Sequence, residues 1–187
     1  MVAKAHPTAA VEVWAQDEAR FGLIPSTRRI WARKGRRPLS CSRRRYEWGY
    51  LYGFVHPRTG RGEWVVGTTV NVQAMNQVLQ EFAKAVGAGP KKRVIIVWDG
   101  AGWHTSDKLE VPEGIHLARL PAYSPELQPA ECVWPLINEA VANRDFTDLD
   151  ELIDTVGNRC LYLSDNPELI QGRTQFWWWP NDVKGVE

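Results

Sequence analysis

Three acidic side chains occupy positions from which they can approach one another in a folded α/β chain. Asp17 follows a predicted strand at residues 11–16, and Asp99 follows the apolar run Val94–Trp98. Glu131 lies in the first turns of a predicted helix. If the two strands are neighbours in one sheet, Asp17 and Asp99 converge at its edge, where a packed helix can add Glu131.

Clustered carboxylates of this kind repel one another unless cations neutralise them. Hard divalent cations such as Mg²⁺ bind oxygen ligands. Two such ions about 3.5–4 Å apart hold the attacking and leaving oxygens of a phosphoryl displacement. The three acids therefore predict metal-dependent phosphoryl transfer, although each one taken singly has an alternative role as a turn former or helix cap.

A dense run of basic residues, here termed the basic segment (residues 28–45), points to a polyanionic partner. The chain has a formal net charge of only +1, but residues 1–106 hold 17 basic and 7 acidic residues, and residues 107–187 hold 6 and 15. The basic segment contains nine basic residues and no acid: Arg28, Arg29, Arg33, Lys34, Arg36, Arg37, Arg43, Arg44 and Arg45. This charge predicts contact with a nucleic-acid backbone. Trp31, Tyr46 and Trp48 are able to stack on bases. The alternative is a solvated basic loop that binds nothing.

Hydrophobic patterning predicts a mixed α/β domain with a central sheet. Apolar alternation or continuous apolar runs predict six strands, at residues 11–16, Arg29–Lys34, Tyr46–Val55, Glu63–Thr69, Val94–Trp98 and Ile115–Leu120. Spacings of three and four, together with capping residues, predict four helices, at residues 72–86, from Thr105 or Ser106 to Leu109, at Pro125–Asn143 and at Leu149–Leu163. Asn71 and Gly87 are the predicted N-cap and stop of the first helix, and Thr147 or Asp148 caps the last.

Length and composition limit the class of protein. The chain has 187 residues, of which 44% are hydrophobic and 24% charged, values typical of one globular domain. No apolar run approaches the roughly 20 residues of a membrane span. Residues 1–10 lack the apolar core of a secretion signal. Three widely spaced cysteines form no CxxC pair, which argues against a disulfide framework or a zinc site and favours a reducing compartment.

Three sequence blocks resemble, in order, the signature blocks of DDE-type transposases. The blocks are Trp14–Leu23, Val97–His104 and Leu120–Trp134, and the blocks Trp31–Gly35 and Gly49–Gly53 are similar to intervening blocks of that family. The third block is the most specific because its proline-rich approach to Glu131 is long. The nearest resemblance is to the bacterial insertion-sequence branch of the mariner-like superfamily, over residues 11–155.

This resemblance implies an α/β, ribonuclease H-like fold with a mixed central sheet, helices on both faces and a core at about residues 11–163. It implies that Asp17, Asp99 and Glu131 form a catalytic triad that binds two Mg²⁺ or Mn²⁺ ions for DNA strand cleavage and strand transfer. The implied partners are the DNA of element ends and target, in a homodimer in the bacterial cytoplasm. Such transposases also carry N-terminal helix-turn-helix modules, which this sequence is expected to be without.

Two departures from the family pattern keep a second hypothesis open. Gly100 stands where the family usually has Asn, and Gln128 stands where it has the Asn of an Asn-Pro pair. The alternative is a non-catalytic DNA-binding or interaction module descended from such a transposase, and metal binding that depends on the triad would discriminate between the two. A carbohydrate-binding role depends only on the ten tryptophans.

A few further residues are candidates for roles near the site. His104 and Arg20 are predicted to support it by contacting the scissile phosphate, a water or a carboxylate, with capping or packing as the alternative for His104. Glu18 adjoins Asp17, but neighbours on a strand point to opposite faces, so only one enters the site and Asp17 is preferred. The C-terminal tail, residues 176–187, contains Trp177–Trp179 and is predicted to cover a sheet edge or helix groove, with self-association as the alternative.

Overall fold

The computed structural model describes residues 2–36, 38–39, 45–99, 108–121 and 124–184, which contain five strands and five helices. The strands are β1 (Ala10–Gly22), β2 (Trp48–His56), β3 (Arg61–Gly67), β4 (Lys92–Trp98) and β5 (Ile115–Arg119). The helices are α1 (Val2–Ala5), α2 (Val72–Val86), α3 (Trp134–Val141), α4 (Leu149–Asp165) and α5 (Pro167–Thr174). Two 3-10 helical turns, Pro125–Leu127 and Pro129–Val133, lead into α3.

The strands form one mixed sheet in the order β3-β2-β1-β4-β5. β2 is antiparallel to both β1 and β3, whereas β4 is parallel to both β1 and β5. The predicted mixed central sheet is therefore confirmed. The central strand β1 separates the antiparallel part of the sheet from the parallel part. Side chains near the middle of β1 can therefore contact residues of β2 on one side and of β4 on the other.

Helices cover both faces of this sheet, as predicted. Because side chains alternate along a strand, Trp14 faces one side of β1 and Ala15 faces the other. On the Trp14 side, Phe82 and the other apolar residues of α2 pack against the sheet. On the Ala15 side, the core is completed by α3, α4 and α5, with Ile137 and Leu152 fully buried. Two separate cores thus hold the sheet between the helices.

The helix α2 begins and ends where its sequence signals predict. The Asn71 side chain accepts a hydrogen bond from the Ala74 backbone N–H at 2.8 Å, and Gly87 adopts a left-handed φ of 68° at the other end. In α4, Asp148 is the cap, accepting from the Glu151 N–H at 2.9 Å. Both caps satisfy backbone groups that the helix itself leaves unpaired.

The predicted strand at Arg29–Lys34 is wrong. These residues form no strand, and their side chains, including that of Trp31, are exposed. An extended segment becomes a strand only when its backbone finds a partner. The repulsion among the basic residues opposes packing of this segment against a sheet. The described sheet accordingly has five strands rather than six.

Two other predicted boundaries need correction. Asp17 is not at the end of the first strand, because β1 continues to Gly22 through antiparallel pairing with β2. The helix predicted at Pro125–Asn143 is instead two 3-10 helical turns followed by α3. The two 3-10 turns begin with Pro125 and Pro129, and Pro135 is the second residue of α3; a proline lacks the N–H that a continuous helix needs. The start of the short helix predicted from Thr105 or Ser106 lies outside the described residues.

The C-terminal tail covers an edge of β1, which is the preferred interpretation from the sequence. Trp179 is buried in the core beneath α3–α5, whereas Trp177 is exposed. Val183 forms an antiparallel bridge with Val11, with N···O distances of 2.8 and 2.9 Å. This bridge lies on the N-terminal part of β1, which β2 does not reach. No helix of the described residues is long and apolar enough to cross a bilayer.

Candidate active site

The parallel pairing of β1 with β4 positions the first two acids. The last residues paired in this ladder are Ala15 and Val97. Asp17 lies two residues further along β1, and Asp99 lies two residues beyond Val97, directly after β4 ends at Trp98. The two strands are therefore neighbours in the sheet, which is the condition for Asp17 and Asp99 to converge.

The third acid, Glu131, is carried by the second 3-10 turn, Pro129–Val133, which packs on β1. The buried Gln128 side chain donates from Nε2 to the Gln16 carbonyl oxygen at 2.9 Å. Three residues after Glu131, the Trp134 indole Nε1 donates to Asp17 Oδ2 at 2.7 Å. The turn that carries Glu131 is thus attached directly to the part of β1 that carries Asp17.

The electrostatics of the site show that these carboxylates influence one another. The pKa of Asp17 is raised to about 6, chiefly by burial, and the charges of Glu131 and Asp99 act in the same direction. Hydrogen bonds from the Trp134 indole and the Glu18 backbone oppose that rise. The pKa of Glu131 is also raised, by burial and then by Asp99. Ionising Asp17 and Glu131 at neutral pH therefore costs free energy.

The residues present fit a divalent cation by their chemistry. The three acids supply only oxygen ligands, and a cation among them would relieve the repulsion that raises the pKa values of Asp17 and Glu131. Among the described residues, no three His, Cys, Asp or Glu side chains are already grouped closely enough to hold an ion. Metal binding would therefore have to draw the ligands together.

The predicted support residue Arg20 and the acid Glu18, the neighbour of Asp17, lie on the other side of the sheet from Asp17. Glu18 and Arg20 are on β1 one and three residues after Asp17, so they point to the opposite face of the sheet. The pKa of Glu18 is raised to about 7, chiefly by burial, and the charges of Asp17 and Asp99 add to that rise. A hydrogen bond from Gln16 Nε2 at 3.0 Å lowers the pKa and so opposes the rise. Arg20 stacks over the Trp48 ring, 5.2 Å from its centroid. His104 lies outside the described residues.

Comparison with known families identifies the family to which this chain belongs. The sequence matches the family described as DDE superfamily endonuclease over residues 12–153. The chain belongs to this family of endonucleases. It is also 38% identical over 107 residues to the uncharacterized protein y4pE/y4sA of Sinorhizobium fredii (strain NBRC 101917 / NGR234). That alignment covers 57% of this chain and 78% of the relative.

Solved structures of similar fold include transposase complexes and a viral intasome. The Mos1 strand transfer complex matches with a TM-score of 0.56 and 17% identity, over 90% of this chain and 56% of that chain. The Mos1 mariner paired-end complex with Mn matches with a TM-score of 0.56 and 19% identity, over 90% of this chain and 57% of that chain. A simian T-cell lymphotropic virus intasome matches with a TM-score of 0.54 and 10% identity, over 82% of this chain and 48% of that chain. The predicted ribonuclease H-like fold is confirmed, and the chain spans just over half the length of the Mos1 chains.

The basic segment of this DDE endonuclease is attached to the body of the protein at both ends. At the first end, Arg28 pairs with Glu139 at 3.0 Å, and the Arg28 backbone exchanges hydrogen bonds with the Asn143 side chain. At the second end, the Arg45 guanidinium donates to the carbonyl oxygens of Phe146 and Thr147. Arg28 and Arg45 therefore have structural partners, which sequence reasoning did not anticipate.

Four of the remaining basic residues of this segment are among the described residues, and three are not. Arg29, Arg33, Lys34 and Arg36 are exposed, and they form no ion pair with other described residues. Arg37, Arg43 and Arg44 lie outside the described residues. The exposed positive charge available to a partner is thus concentrated between the two attachment points.

Sequence reasoning gave no role to three residues that build the site. Gln128 and Trp134 are in the third resemblance block, but their contacts to β1 span more than a hundred residues of sequence. Gly53 pairs directly with Asp17 across β1 and β2. The spacing of Gln128 and Trp134, each three residues from Glu131, is a signal that could have placed them on the same turn.

We expect Gly53→Ala to weaken metal binding by displacing Trp134. A Cβ at Gly53 would lie 2.9 Å from Cη2 of Trp134 and 3.0 Å from Cζ3 of Trp64, closer than carbon atoms pack. Displacing the indole removes its hydrogen bond to Asp17, so Mn²⁺ affinity should fall about tenfold by calorimetry.

The matched control for this variant is Gly49→Ala on the same strand. Its Cβ would meet the flexible end of Ile153 at 2.9 Å rather than a site residue. The control should retain wild-type Mn²⁺ affinity. Equal loss of affinity in both variants would contradict the proposed contact.

Proposed function

We propose that this chain is the catalytic domain of a mariner-like DDE transposase that cleaves DNA strands and transfers a 3′-hydroxyl end to target DNA. Asp17, Asp99 and Glu131 are the proposed metal ligands, holding two Mg²⁺ or Mn²⁺ ions. The observation that carries the proposal is the attachment of the Glu131 turn to β1 at Asp17, beside the end of the parallel strand that Asp99 follows. Family membership supplies the reaction class, DNA phosphodiester cleavage.

The chain's own residues would act by holding the ligands and the substrate backbone. When bound, the ions would supply an activated water or 3′-hydroxyl and would stabilise the leaving oxygen. Trp134 orients the Asp17 carboxylate, and Gln128 holds the turn that carries Glu131. The exposed basic residues between Arg28 and Arg45 would neutralise DNA phosphates, which contributes affinity rather than sequence choice.

The proposal extends to the DNA partners of the chain, its oligomeric state, its branch of the family and its location in the cell. The Mos1 complexes named above are paired-end and strand transfer complexes, and we infer that this chain likewise acts on element ends and target DNA. A homodimer would supply one active site for each DNA end. We assign the chain to the bacterial insertion-sequence branch and to the bacterial cytoplasm, with nucleoid association when it is bound to DNA.

The deciding experiment is calorimetric titration of Mn²⁺ and Mg²⁺ into the wild type and into Asp99→Asn, with and without a short DNA duplex. Millimolar or tighter binding in the wild type that is lost in the variant would support the carboxylate site. Strand cleavage of the duplex should then require the metal and fail in the variant. A folded wild type that binds no metal even with DNA would contradict the proposal and favour a non-catalytic module.

The basic segment predicts a measurable salt dependence of DNA binding. Replacing Arg29, Arg33, Lys34 and Arg36 with Gln should lower the slope of log K against log salt by up to about 3–4, because each phosphate contact contributes about 0.9. The melting temperature should change little, since these side chains are exposed. Fluorescence anisotropy with a labelled duplex at several salt concentrations measures the slope.

The charge-matched control replaces four basic residues elsewhere with Gln: Lys4, Lys84, Lys91 and Arg173. It removes the same net charge and should leave most of the slope in place. If both quadruple variants lower the slope equally, overall charge rather than the basic segment determines DNA binding.

A further inference from the structure

We propose that Gln128 and Trp134 are positioning residues that hold the turn carrying Glu131 beside Asp17, so that a metal ion can draw the two carboxylates together. This inference rests on the proposed function and adds to it two residues that contact neither metal nor DNA in our assignment. They act through the groups that they hold. The structural basis is a pair of hydrogen bonds on either side of Glu131.

Gln128 links the turn to β1 through one buried amide. The side chain is 1% exposed, and its Nε2 donates to the Gln16 carbonyl at 2.9 Å. Its Oε1 accepts from the Ala130 N–H at 3.4 Å, which caps the start of the turn. Both ends of the amide are therefore used, and Gln16 lies one residue beyond the last β1–β4 pair.

Trp134 links the other end of the turn to the neighbouring residue of β1. Its Nε1 donates to Oδ2 of Asp17 at 2.7 Å, and an indole N–H is a donor only. The bond fixes the orientation of the Asp17 carboxylate. Hydrogen bonds that orient a ligand in this way commonly determine metal affinity.

The two hydrogen bonds together define the position of Glu131. They start three residues before it and three residues after it, and they end on the consecutive residues Gln16 and Asp17. A turn attached at two points has little freedom to carry the backbone of Glu131 away from β1, while the Glu131 side chain can still move towards an ion. A turn that needed only to be packed could use apolar side chains, whereas these bonds are directed at the residues that carry the site.

The experiment compares variants that remove each hydrogen bond and keep an apolar or aromatic side chain in its place. Gln128→Met removes the amide, and Trp134→Phe removes the indole N–H. Two matched controls remove equivalent bonds that involve neither Asp17 nor the turn carrying Glu131. Gln171→Met removes a bond from Nε2 to the Arg58 carbonyl of 2.6 Å, and Trp14→Phe, on the opposite face of β1, removes a bond from Nε1 to Glu12 Oε2 of 2.9 Å.

Three quantities are measured for each variant: the Mn²⁺ dissociation constant, the melting temperature of the metal-free protein, and the Mn²⁺ concentration that gives half-maximal DNA cleavage. We expect Gln128→Met and Trp134→Phe each to weaken Mn²⁺ binding about 10–100-fold. Half-maximal cleavage should shift to higher Mn²⁺ by a similar factor, with the rate at saturating Mn²⁺ much less affected. The controls should lower the melting temperature to a similar extent and leave Mn²⁺ affinity unchanged.

The outcomes separate this inference from the proposed function. If the wild type binds Mn²⁺ and Asp99→Asn does not, but both positioning variants bind like the wild type, the function stands and the inference is wrong. If the controls lose affinity as much as the positioning variants, the effect is general destabilisation and the inference is also wrong. If the wild type binds no Mn²⁺ even with DNA, both proposals fail. Should Gln128→Met not fold, Trp134→Phe decides the question.

Discussion

Replacing Asp17 with Asn is expected to reduce Mn²⁺-dependent DNA cleavage by about a thousandfold or more and to stabilise the metal-free protein. The loss of activity follows from removing a proposed metal ligand. The gain in stability follows from the raised pKa of Asp17, about 6, because a group that resists ionisation in the folded state destabilises the fold when it is charged. Asn stays uncharged and its side-chain oxygen still accepts the Trp134 hydrogen bond.

The size of the stabilisation can be measured by urea unfolding at pH 8 in the presence of a chelator. The shift in the pKa of Asp17 corresponds to about 1–3 kcal/mol once solvent screening is allowed for. The matched control is Asp154→Asn on the exposed face of α4, which should alter neither stability nor cleavage appreciably. A variant that is less stable than the wild type, or that still cleaves DNA, would contradict the assignment of Asp17.

The elements that sequence analysis predicted well are those set by local chemistry. The helix α2 combines regular apolar spacing with an Asn71 cap and a Gly87 stop, all within one short stretch of chain. The failures arise where distant partners decide. The segment at residues 29–34 alternates like a strand but finds no strand to pair with. In contrast, β1 extends past its apolar run because β2 pairs with it up to Gly22.

The same distinction applies to the site. The acids Asp17, Asp99 and Glu131 could be proposed from the sequence because each lies in one of the three blocks that resemble the transposase signature. The roles of Gln128 and Trp134 could not, because a glutamine or tryptophan beside a helix is equally suited to packing or capping. Only the fold shows that both side chains reach β1 at consecutive residues.

The raised pKa values on both faces of β1 also predict that the metal-free protein loses stability as the pH rises. Burial is the main cause of the shifts of Asp17 from 3.8 to about 6 and of Glu18 from 4.5 to about 7. A folded-state pKa above the unfolded value means that the folded state binds protons more tightly. This contribution is fully present below about pH 4 and is lost as the pH rises through 6 and 7.

The expected loss between pH 5 and pH 8 is on the order of 3 kcal/mol, since the two neighbouring groups do not titrate independently. Other titratable side chains also change the stability between pH 5 and pH 8. The lowered pKa of His116, which is caused by burial and by Arg93 and His6, acts in the opposite direction. The informative quantity is therefore the difference between the wild type and the double variant Asp17→Asn, Glu18→Gln, measured by urea unfolding in chelator at each pH.

Metal binding should reverse this trend because a bound cation favours the ionised form of its ligands. We expect saturating Mg²⁺ to stabilise the wild type more at pH 8 than at pH 5, and to have little effect on the double variant at either pH. Stability of the metal-free wild type that rises from pH 5 to pH 8 relative to the double variant would show that burial of Asp17 and Glu18 is not costly. Asp17 would then lack the raised pKa that a bound cation is expected to reverse.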